Sequence, residues 1–251
     1  MERSWNFLKL NRHIVLPVQH CTGSTILMEG TGNMDKEKVI SYINEERVIV
    51  IVRKIYGEDC KKLTEALYKG GIKIIEFTFD QESKEDWDRT VENIKWVSEQ
   101  YQDKMICGAG TVLSEIQVQK AANAGAKLII APDVNKKVIE KANKHGLVSI
   151  PGAMTSTEIL QAYNYGADFV KVFPAEELGS GYIKAIRGPI NHVPLMAVGG
   201  IRKENIREYL KAGVNGVGIG GKLVQKDLIK SGKFDEIEKI AKEIIQEVKR
   251  A

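Results

Sequence analysis

Short apolar segments rich in valine and isoleucine alternate with longer amphipathic segments from about residue 46 to the end of the chain. The apolar segments are typical of buried strands and the others of helices, which is the order of a parallel sheet built from βα units. Eight strands are predicted, at residues 48–52, 74–78, 105–108, 128–131, 148–151, 169–172, 195–198 and 214–219. Eight repeats favour a closed (β/α)8 TIM barrel over a doubly wound sheet, which more often has about five or six strands.

Helix boundaries are marked between the predicted strands. The Gly70-Gly71 pair predicts a helix end, whereas Ser114 with Gln117 and Thr155 with Glu158 predict helix starts. Apolar side chains recur at helical spacing near the carboxyl end, at Ile237, Ile240, Ala241, Ile244, Ile245 and Val248. Such a stripe is typical of a helix that packs on a core.

Residues 1–33 lack this periodicity and contain Gly23, Gly30 and Gly32 among serines and threonines. We interpret them as a poorly ordered N-terminal extension, with Met34 as a candidate natural start and residues 34–251 as one barrel domain. The extension lacks the continuous apolar stretch of a signal peptide, and no apolar run in the chain reaches the roughly 20 residues of a membrane helix. We therefore expect a cytoplasmic protein with no membrane partner.

Composition and charge narrow the choice of partners. The chain has 37 basic and 33 acidic residues, and its lysines are scattered rather than clustered with aromatic residues, so we expect no nucleic-acid partner. The three cysteines, Cys21, Cys60 and Cys107, are odd in number and widely spaced, which fits a reducing compartment. The histidines form no metal-binding spacing, and we expect neither a metal nor another cofactor.

The strongest chemical signal is Lys171, which stands within the apolar segment 169–174. Burying an ammonium group is unfavourable unless it is paired or loses its proton, and a neutral amine is a nucleophile for carbonyl carbons. Lys171 is therefore a candidate Schiff-base lysine. The alternative is a lysine whose stem is buried while its ammonium group reaches solvent at the strand end.

Glu76 is a second ionisable side chain in an apolar strand. Burial would raise its pKa towards neutrality and make the carboxyl group a competent proton carrier. Together with Lys171 it supplies the nucleophile and the acid/base that imine chemistry requires. The alternative is a buried ion pair between the two side chains, which also places them together.

Catalytic residues of TIM barrels lie at the carboxyl ends of the strands. The residues expected there are Arg53, Glu76, Thr111, Pro132, Lys171, Val198, Gly199, Gly200, Gly220 and Gly221. The two glycine pairs form either an anion pocket, helped by a following helix N-terminus, or ordinary tight turns. Thr111 either donates a hydrogen bond to a substrate carboxylate or caps the next helix.

The motifs IIEFTF, GAGTV, IPGAMTSTE, FVKVFPAE, VGGI and GIGG occur here in the order found in the 2-keto-3-deoxy-6-phosphogluconate (KDPG) aldolases, also known as 4-hydroxy-2-oxoglutarate (KHG) aldolases. The chain resembles this family from about Met34 to its end. The resemblance implies a class I, metal-independent aldolase on a (β/α)8 barrel, commonly a homotrimer. Its small-molecule substrate would be a 2-keto acid, cleaved to pyruvate and an aldehyde, either glyceraldehyde 3-phosphate or glyoxylate.

The resemblance also implies roles for individual residues. By motif, Lys171 is similar to the Schiff-base lysine of the family and Glu76 to its general acid/base. Thr111, Pro132 and Phe173 resemble the residues of the pyruvate pocket. Two glycine pairs of this chain resemble the phosphate-binding turns of the family, and they consist of Gly199, Gly200, Gly220 and Gly221.

Two positions depart from the family pattern. Asp80 stands where the family has an arginine that helps bind the substrate carboxylate, and Val198 stands where it has a threonine. A carboxylate in place of a guanidinium group would repel an anionic substrate unless another group answers it. Arg53 is the candidate replacement, and Lys222, where many relatives have a serine, would add charge to the phosphate turn. We therefore expect lyase chemistry with an altered substrate preference.

Two other functions are alternatives. One is a non-catalytic barrel that binds a phosphate or a sugar acid, which Asp80 and Val198 favour. The other is a different phosphate-binding barrel enzyme, such as a sugar-phosphate epimerase. Covalent trapping of pyruvate on Lys171 by borohydride would distinguish an aldolase from both.

Overall fold

The computed structural model describes residues 35–251, so the predictions for residues 1–33 and for a start at Met34 lie outside the described residues. Its strands are β1 Val48–Val52, β2 Ile74–Thr78, β3 Ile106–Gly110, β4 Leu128–Ile130, β5 Val148–Ile150, β6 Gly152–Ala153, β7 Val170–Val172, β8 Leu195–Val198 and β9 Gly216–Ile219. Its α-helices are α1 Lys36–Glu46, α2 Gly57–Lys69, α3 Glu85–Tyr101, α4 Glu115–Asn123, α5 Lys136–Lys144, α6 Ser156–Asn164, α7 Ala175–Arg187, α8 Ile206–Lys211, α9 Lys226–Lys230 and α10 Phe234–Lys249. A 3-10 helix, Gln102–Lys104, follows α3.

All strand pairs are parallel, and the sheet order is β5-β4-β3-β2-β1-β9-β8-β7-β6. The two terminal strands of this order are consecutive pieces of chain on either side of Pro151, so the chain itself closes the barrel. The predicted TIM barrel is therefore confirmed. The predicted fifth strand, residues 148–151, ends at Ile150, and the short strand β6 follows Pro151, because proline has no N–H group to donate to the ladder. The Pro151 carbonyl still accepts a hydrogen bond from the Lys171 N–H at 2.8 Å.

The barrel interior is filled by apolar side chains from six of the nine strands, joined by Phe169 just before β7. Helix α1 packs against this interior through Val39 and Ile43, which contact the set that includes Ile49 and Ile74 near the strand starts. The amino ends of the strands are thus covered by a helix. A second, larger core lies between the sheet and the outer helices, and the predicted stripe in α10 contributes to it.

The predicted helix boundaries are confirmed. Helix α2 ends at Lys69 with Gly70 as its C-cap, and Ser114 and Thr155 each form a capping box at the starts of α4 and α6. Within residues 35–251, no helix is both long enough and apolar enough to cross a membrane.

Candidate active site

One cavity of about 710 Å³ lies at the carboxyl ends of the strands, and we call its open end the mouth. It brings together all ten predicted site residues, which are Arg53, Glu76, Thr111, Pro132, Lys171, Phe173, Gly199, Gly200, Gly220 and Gly221. The cavity is also lined by residues that the sequence analysis did not single out as site residues, among them Ile51, Gly218, Val224 and Lys226.

Lys171 is the central residue of β7, and its whole residue is only 8% exposed. Burial lowers the pKa of its amine, Glu76 raises it, and Arg53 lowers it further. The Nζ atom lies 4.5 Å from the centre of the Phe173 ring and has no hydrogen-bond partner among the described residues. Lys171 is therefore largely buried, and it borders the cavity rather than the outer surface of the barrel.

Glu76 is the central residue of β2 and is 2% exposed. Burial raises the pKa of its carboxyl group to about 7, although the charges of Lys171 and Arg53 lower it. Within the described chain its Oε2 atom has no hydrogen-bond partner, and no direct ion pair joins it to Lys171. A Cβ at Gly110 would lie 2.5 Å from Oε2, so the glycine makes room for this carboxyl group.

The shared cause of these pKa shifts is an apolar floor beneath the two groups. We define the floor as Glu76 and Lys171 with the apolar side chains around them, which are Ile49, Ile51, Ile130, Ile150, Met196 and Val198. These neighbours offer no hydrogen bonds to the amine or the carboxyl group and leave both residues largely buried. The charged forms of both are therefore disfavoured.

Thr111 follows β3 and lines the cavity with a left-handed backbone, at a φ of 55°. This conformation is uncommon for a β-branched residue and persists only where its surroundings hold it. Its carbonyl accepts a hydrogen bond from Gln81 Nε2 at 2.8 Å. The alternative role as a helix cap is wrong, because Ser114 caps α4.

The two glycine pairs differ. Gly199 and Gly200 have φ values of 100° and 71°, and a Cβ on Gly200 would lie 2.2 Å from the Cβ of Glu176, so the fold itself requires glycine there. A Cβ on Gly220 would meet its nearest neighbouring atom at 3.7 Å, and a Cβ on Gly221 would meet none of the described atoms within 4 Å. The tight-turn interpretation therefore accounts for the first pair but not for the second.

The expected helix N-terminus does not directly follow either glycine pair. Helix α8 begins only at Ile206 and α9 at Lys226, and both are short, with 6 and 5 residues. Positive charge at this side of the cavity comes instead from the side chains of Lys222 and Lys226. Glu76 is the one acidic residue among the described lining residues, which include three basic residues besides Lys171, so the cavity suits an anionic ligand.

Asp80 does not line the cavity. Its Oδ2 atom forms an ion pair with Lys54 Nζ at 2.6 Å, and its Oδ1 atom accepts a hydrogen bond from the Glu82 N–H at 3.1 Å. The hydrogen bond from Lys54 lowers the pKa of the Asp80 carboxyl group below its ordinary value. The predicted repulsion of an anionic substrate is thus answered by Lys54, while Arg53 lines the cavity itself.

A closed barrel with a buried amine and a buried acid at one mouth is the arrangement of a Schiff-base lyase. Comparison with known proteins agrees with this class. The family model described as KDPG and KHG aldolase matches residues 39–240. The chain therefore belongs to the KDPG and KHG aldolase family, and it is a class I aldolase, a carbon–carbon lyase.

Individual relatives cover most of the chain. It is 33% identical over 215 residues to the 2-dehydro-3-deoxy-phosphogluconate aldolase of Haemophilus influenzae, across 85% of this chain and 98% of the relative. It is 32% identical over 177 residues to the 2-dehydro-3-deoxy-6-phosphogalactonate aldolase of Escherichia coli, across 70% of this chain and 83% of the relative. The crystal structure of KDPG aldolase from Legionella pneumophila, with pyruvate captured as a covalent carbinolamine intermediate, matches with a TM-score of 0.72 and 27% identity, covering 83% of this chain and 97% of that one. The alternatives of a non-catalytic barrel and an epimerase are set aside.

Proposed function

We propose that Lys171 is the Schiff-base nucleophile of this aldolase and that Glu76 is its proton carrier. The observation that carries the proposal is that the amine and the Oε2 atom of the carboxyl group are both buried on one apolar floor, without hydrogen-bond partners among residues 35–251. Burial lowers the pKa of the amine and raises that of the carboxyl group to about 7. Near neutral pH the Glu76 carboxyl group can therefore both give and take a proton, and burial favours the neutral, nucleophilic form of the Lys171 amine.

The proposed reaction begins when the neutral Lys171 amine attacks the C2 ketone of the substrate. Glu76 assists the loss of water, which leaves a protonated imine. The Glu76 carboxylate then takes the proton of the C4 hydroxyl group as the C3–C4 bond breaks, and the imine accepts the bonding electrons. The products are an aldehyde and an enamine of pyruvate, which is protonated at C3 by Glu76 and hydrolysed to free Lys171.

The pyruvate end of the substrate would lie against Arg53, Thr111, Pro132 and Phe173. Arg53 is the guanidinium group that lines the cavity, and it acts electrostatically on both Glu76 and Lys171. A guanidinium group binds a carboxylate through two parallel hydrogen bonds. Arg53 therefore takes the role that the arginine replaced by Asp80 has in the family.

The far end of the substrate would lie between the two glycine turns, Gly199-Gly200 and Gly220-Gly221. The second turn leaves open space, and Lys222 and Lys226 add charge beside it. This combination favours a phosphorylated substrate of the 2-keto-3-deoxy-6-phosphogluconate type over the shorter 4-hydroxy-2-oxoglutarate type. Altered preference among such acids follows from Val198, which has no hydroxyl group to offer the substrate.

The test is borohydride reduction in the presence of pyruvate, with the modified peptide identified by mass. A stable adduct on Lys171 is expected, and it should be absent without pyruvate. Lys203→Arg is a matched control on an exposed lysine outside the cavity and should leave the adduct unchanged. An adduct on another lysine would overturn the assignment.

Substrate choice is tested by steady-state cleavage of phosphorylated and unphosphorylated 2-keto-4-hydroxy acids of equal chain length. We expect kcat/KM to be higher for the phosphorylated member of each pair. Equal values would overturn the role of Lys222 and Lys226. Unchanged preference for 2-keto-3-deoxy-6-phosphogluconate over its epimers would reject altered specificity.

We also propose that the protein is a cytoplasmic homotrimer. The family resemblance supports the trimer, as do large apolar side chains left exposed on one chain, such as Ile116 at 65% and Met154 at 50%. Cys60 and Cys107 are buried free thiols, which supports a reducing compartment. Light scattering should give three times the 28.0 kDa of one chain, and cell fractionation tests the compartment.

A further inference from the structure

The segment between β2 and α3 contacts the loops on both sides of it. We call its residues Asp80 and Gln81 the brace. Asp80 reaches back to the loop after β1, where its Oδ2 atom lies 2.6 Å from Lys54 Nζ. Gln81 reaches forward to the loop after β3, where its Nε2 atom donates to the Thr111 carbonyl at 2.8 Å.

The brace is itself anchored. Trp87 Nε1 donates to the Asp80 carbonyl at 2.5 Å, and the Glu82 N–H donates to the Asp80 carboxylate at 3.1 Å. The Oε1 atom of Gln81 accepts a hydrogen bond from Gln117 Nε2 at 3.2 Å, and Gln117 is fully buried. Both arms of the brace therefore extend from a fixed base.

The two contacted positions share an unusual backbone. Lys54 and Thr111 each have a φ of 55°, and in the described chain only Arg47 and Gln102 are other non-glycine residues at positive φ. Such a conformation is held by its surroundings rather than by local preference. Each of the two positions also determines where a cavity-lining group points, because Arg53 precedes Lys54 directly and Thr111 lines the cavity itself.

We propose that Asp80 and Gln81 are positioning residues that hold Arg53 and Thr111 towards the substrate carboxylate. Asp80 thus acts through Lys54 on Arg53 rather than on the substrate. The proposal rests on the function proposed for Arg53 and Thr111 above. It gives Asp80, which replaces a substrate-binding arginine of the family, a role in supporting the replacement.

The experiment measures the pyruvate concentration that gives half-maximal borohydride trapping on Lys171. Lys54→Met removes the ammonium group and keeps the stem, Asp80→Asn removes the charge, and Gln81→Met removes the second arm. Each should raise the half-saturating concentration about tenfold, because a carboxylate-binding group is misplaced, while the maximal extent of trapping stays the same. Lys54→Arg keeps the pair and should retain the wild-type value. The double variant Lys54→Met/Asp80→Asn should be no worse than either single variant.

Glu243→Gln is the matched control, because it removes the Lys203–Glu243 pair, which has a 2.7 Å separation and the same 43% exposure of the lysine as the Lys54 pair. It should leave half-saturation unchanged.

Lower melting temperatures with wild-type half-saturation in the brace variants would overturn the positioning role, as would equal losses in Lys54→Arg and Lys54→Met. Gln81→Met tests the second arm independently should the Asp80 variant fail to fold. Absence of an adduct in the wild-type protein would overturn the proposed function and the brace with it, whereas the other failures overturn the brace alone.

Discussion

Lys171 on the floor of the cavity and Lys54 beside its mouth are the same side chain in two environments. Burial among apolar side chains lowers the pKa of Lys171, whereas the hydrogen bond that Lys54 donates to Asp80 raises the pKa of Lys54. In the proposed mechanism the first amine is the nucleophile, whereas the second is a cation paired with Asp80. Desolvation disfavours the charged form of a lysine and pairing with a carboxylate favours it, so the two environments suit these two different roles.

The two regions should also respond differently to solution conditions. Interactions on the floor are shielded from solvent and little affected by salt, whereas the exposed cations around the mouth are screened at physiological ionic strength. Substitutions in the floor should therefore mainly change kcat, and substitutions at the mouth should mainly change KM.

The largest effect is expected from Lys171→Arg. A guanidinium group stays protonated and cannot form an imine, so turnover should fall by roughly 10⁴-fold or more and no pyruvate adduct should form. Steady-state cleavage and peptide mass measure the two outcomes. Retained turnover in this variant would mean that Lys171, and with it the floor, takes no part in the chemical step.

Glu76→Gln should lower kcat by about 10²- to 10⁴-fold, because the amide keeps the shape of the side chain but carries no proton. In the wild-type enzyme the carboxylate form is lost as pH falls through about 7, so kcat/KM should decline below that pH. The pH profile of Glu76→Gln should lack this decline, which is called the acidic limb. A wild-type limb near the ordinary value of 4.5 would mean that Glu76 is not the proton carrier or is solvated in the working enzyme.

The same substitution should stabilise the fold at alkaline pH. The pKa of Glu76 is raised from 4.5 to about 7, so the folded state holds a proton that the unfolded state has released, and stability falls as pH rises between these values. At pH 8 the variant should be more stable by up to about 3 kcal/mol, and at pH 4 the difference should vanish. Urea unfolding at the two pH values measures this. The exposed variant Glu243→Gln should show no such gain.

The smallest effect is expected at the mouth, from Lys226→Met. Loss of one exposed cation should raise KM for a phosphorylated substrate about tenfold, which corresponds to ~1.4 kcal/mol, and leave kcat nearly unchanged. The difference from wild type should shrink as salt is added. A fall in kcat without a change in KM would mean that Lys226 contributes to the chemical step, as the floor residues do, and would contradict the division between floor and mouth.

Much of the barrel was predictable because its strands are short runs of β-branched residues separated by amphipathic helices. The short strand β6 was not predicted, because the predicted fifth strand was carried through Pro151, which cannot donate to the ladder and marks the break. The cavity residues at strand ends were predictable for the same reason that the barrel was. Lys226 was not, because it lies six residues beyond Gly220 and reaches the cavity only through the path of the intervening loop.

Asp80 shows where sequence reasoning about a site fails. On sequence alone its charge counts against an anionic substrate, because its position matches a substrate-binding arginine. Its partner Lys54 is 26 residues away and belongs to another loop, so only the folded barrel brings the two charges together.

Helix α1 covers the amino ends of the strands. In the part of the chain that the structure describes, substrate and products therefore reach and leave the floor through the mouth. In the proposed reaction the aldehyde would form nearer this opening than the three-carbon fragment tethered to Lys171, and it would depart before water reaches and releases that fragment. Release of the two products would then be sequential. Pyruvate should inhibit cleavage competitively and the aldehyde non-competitively, and the reverse pattern would mean that pyruvate leaves first and would contradict this order.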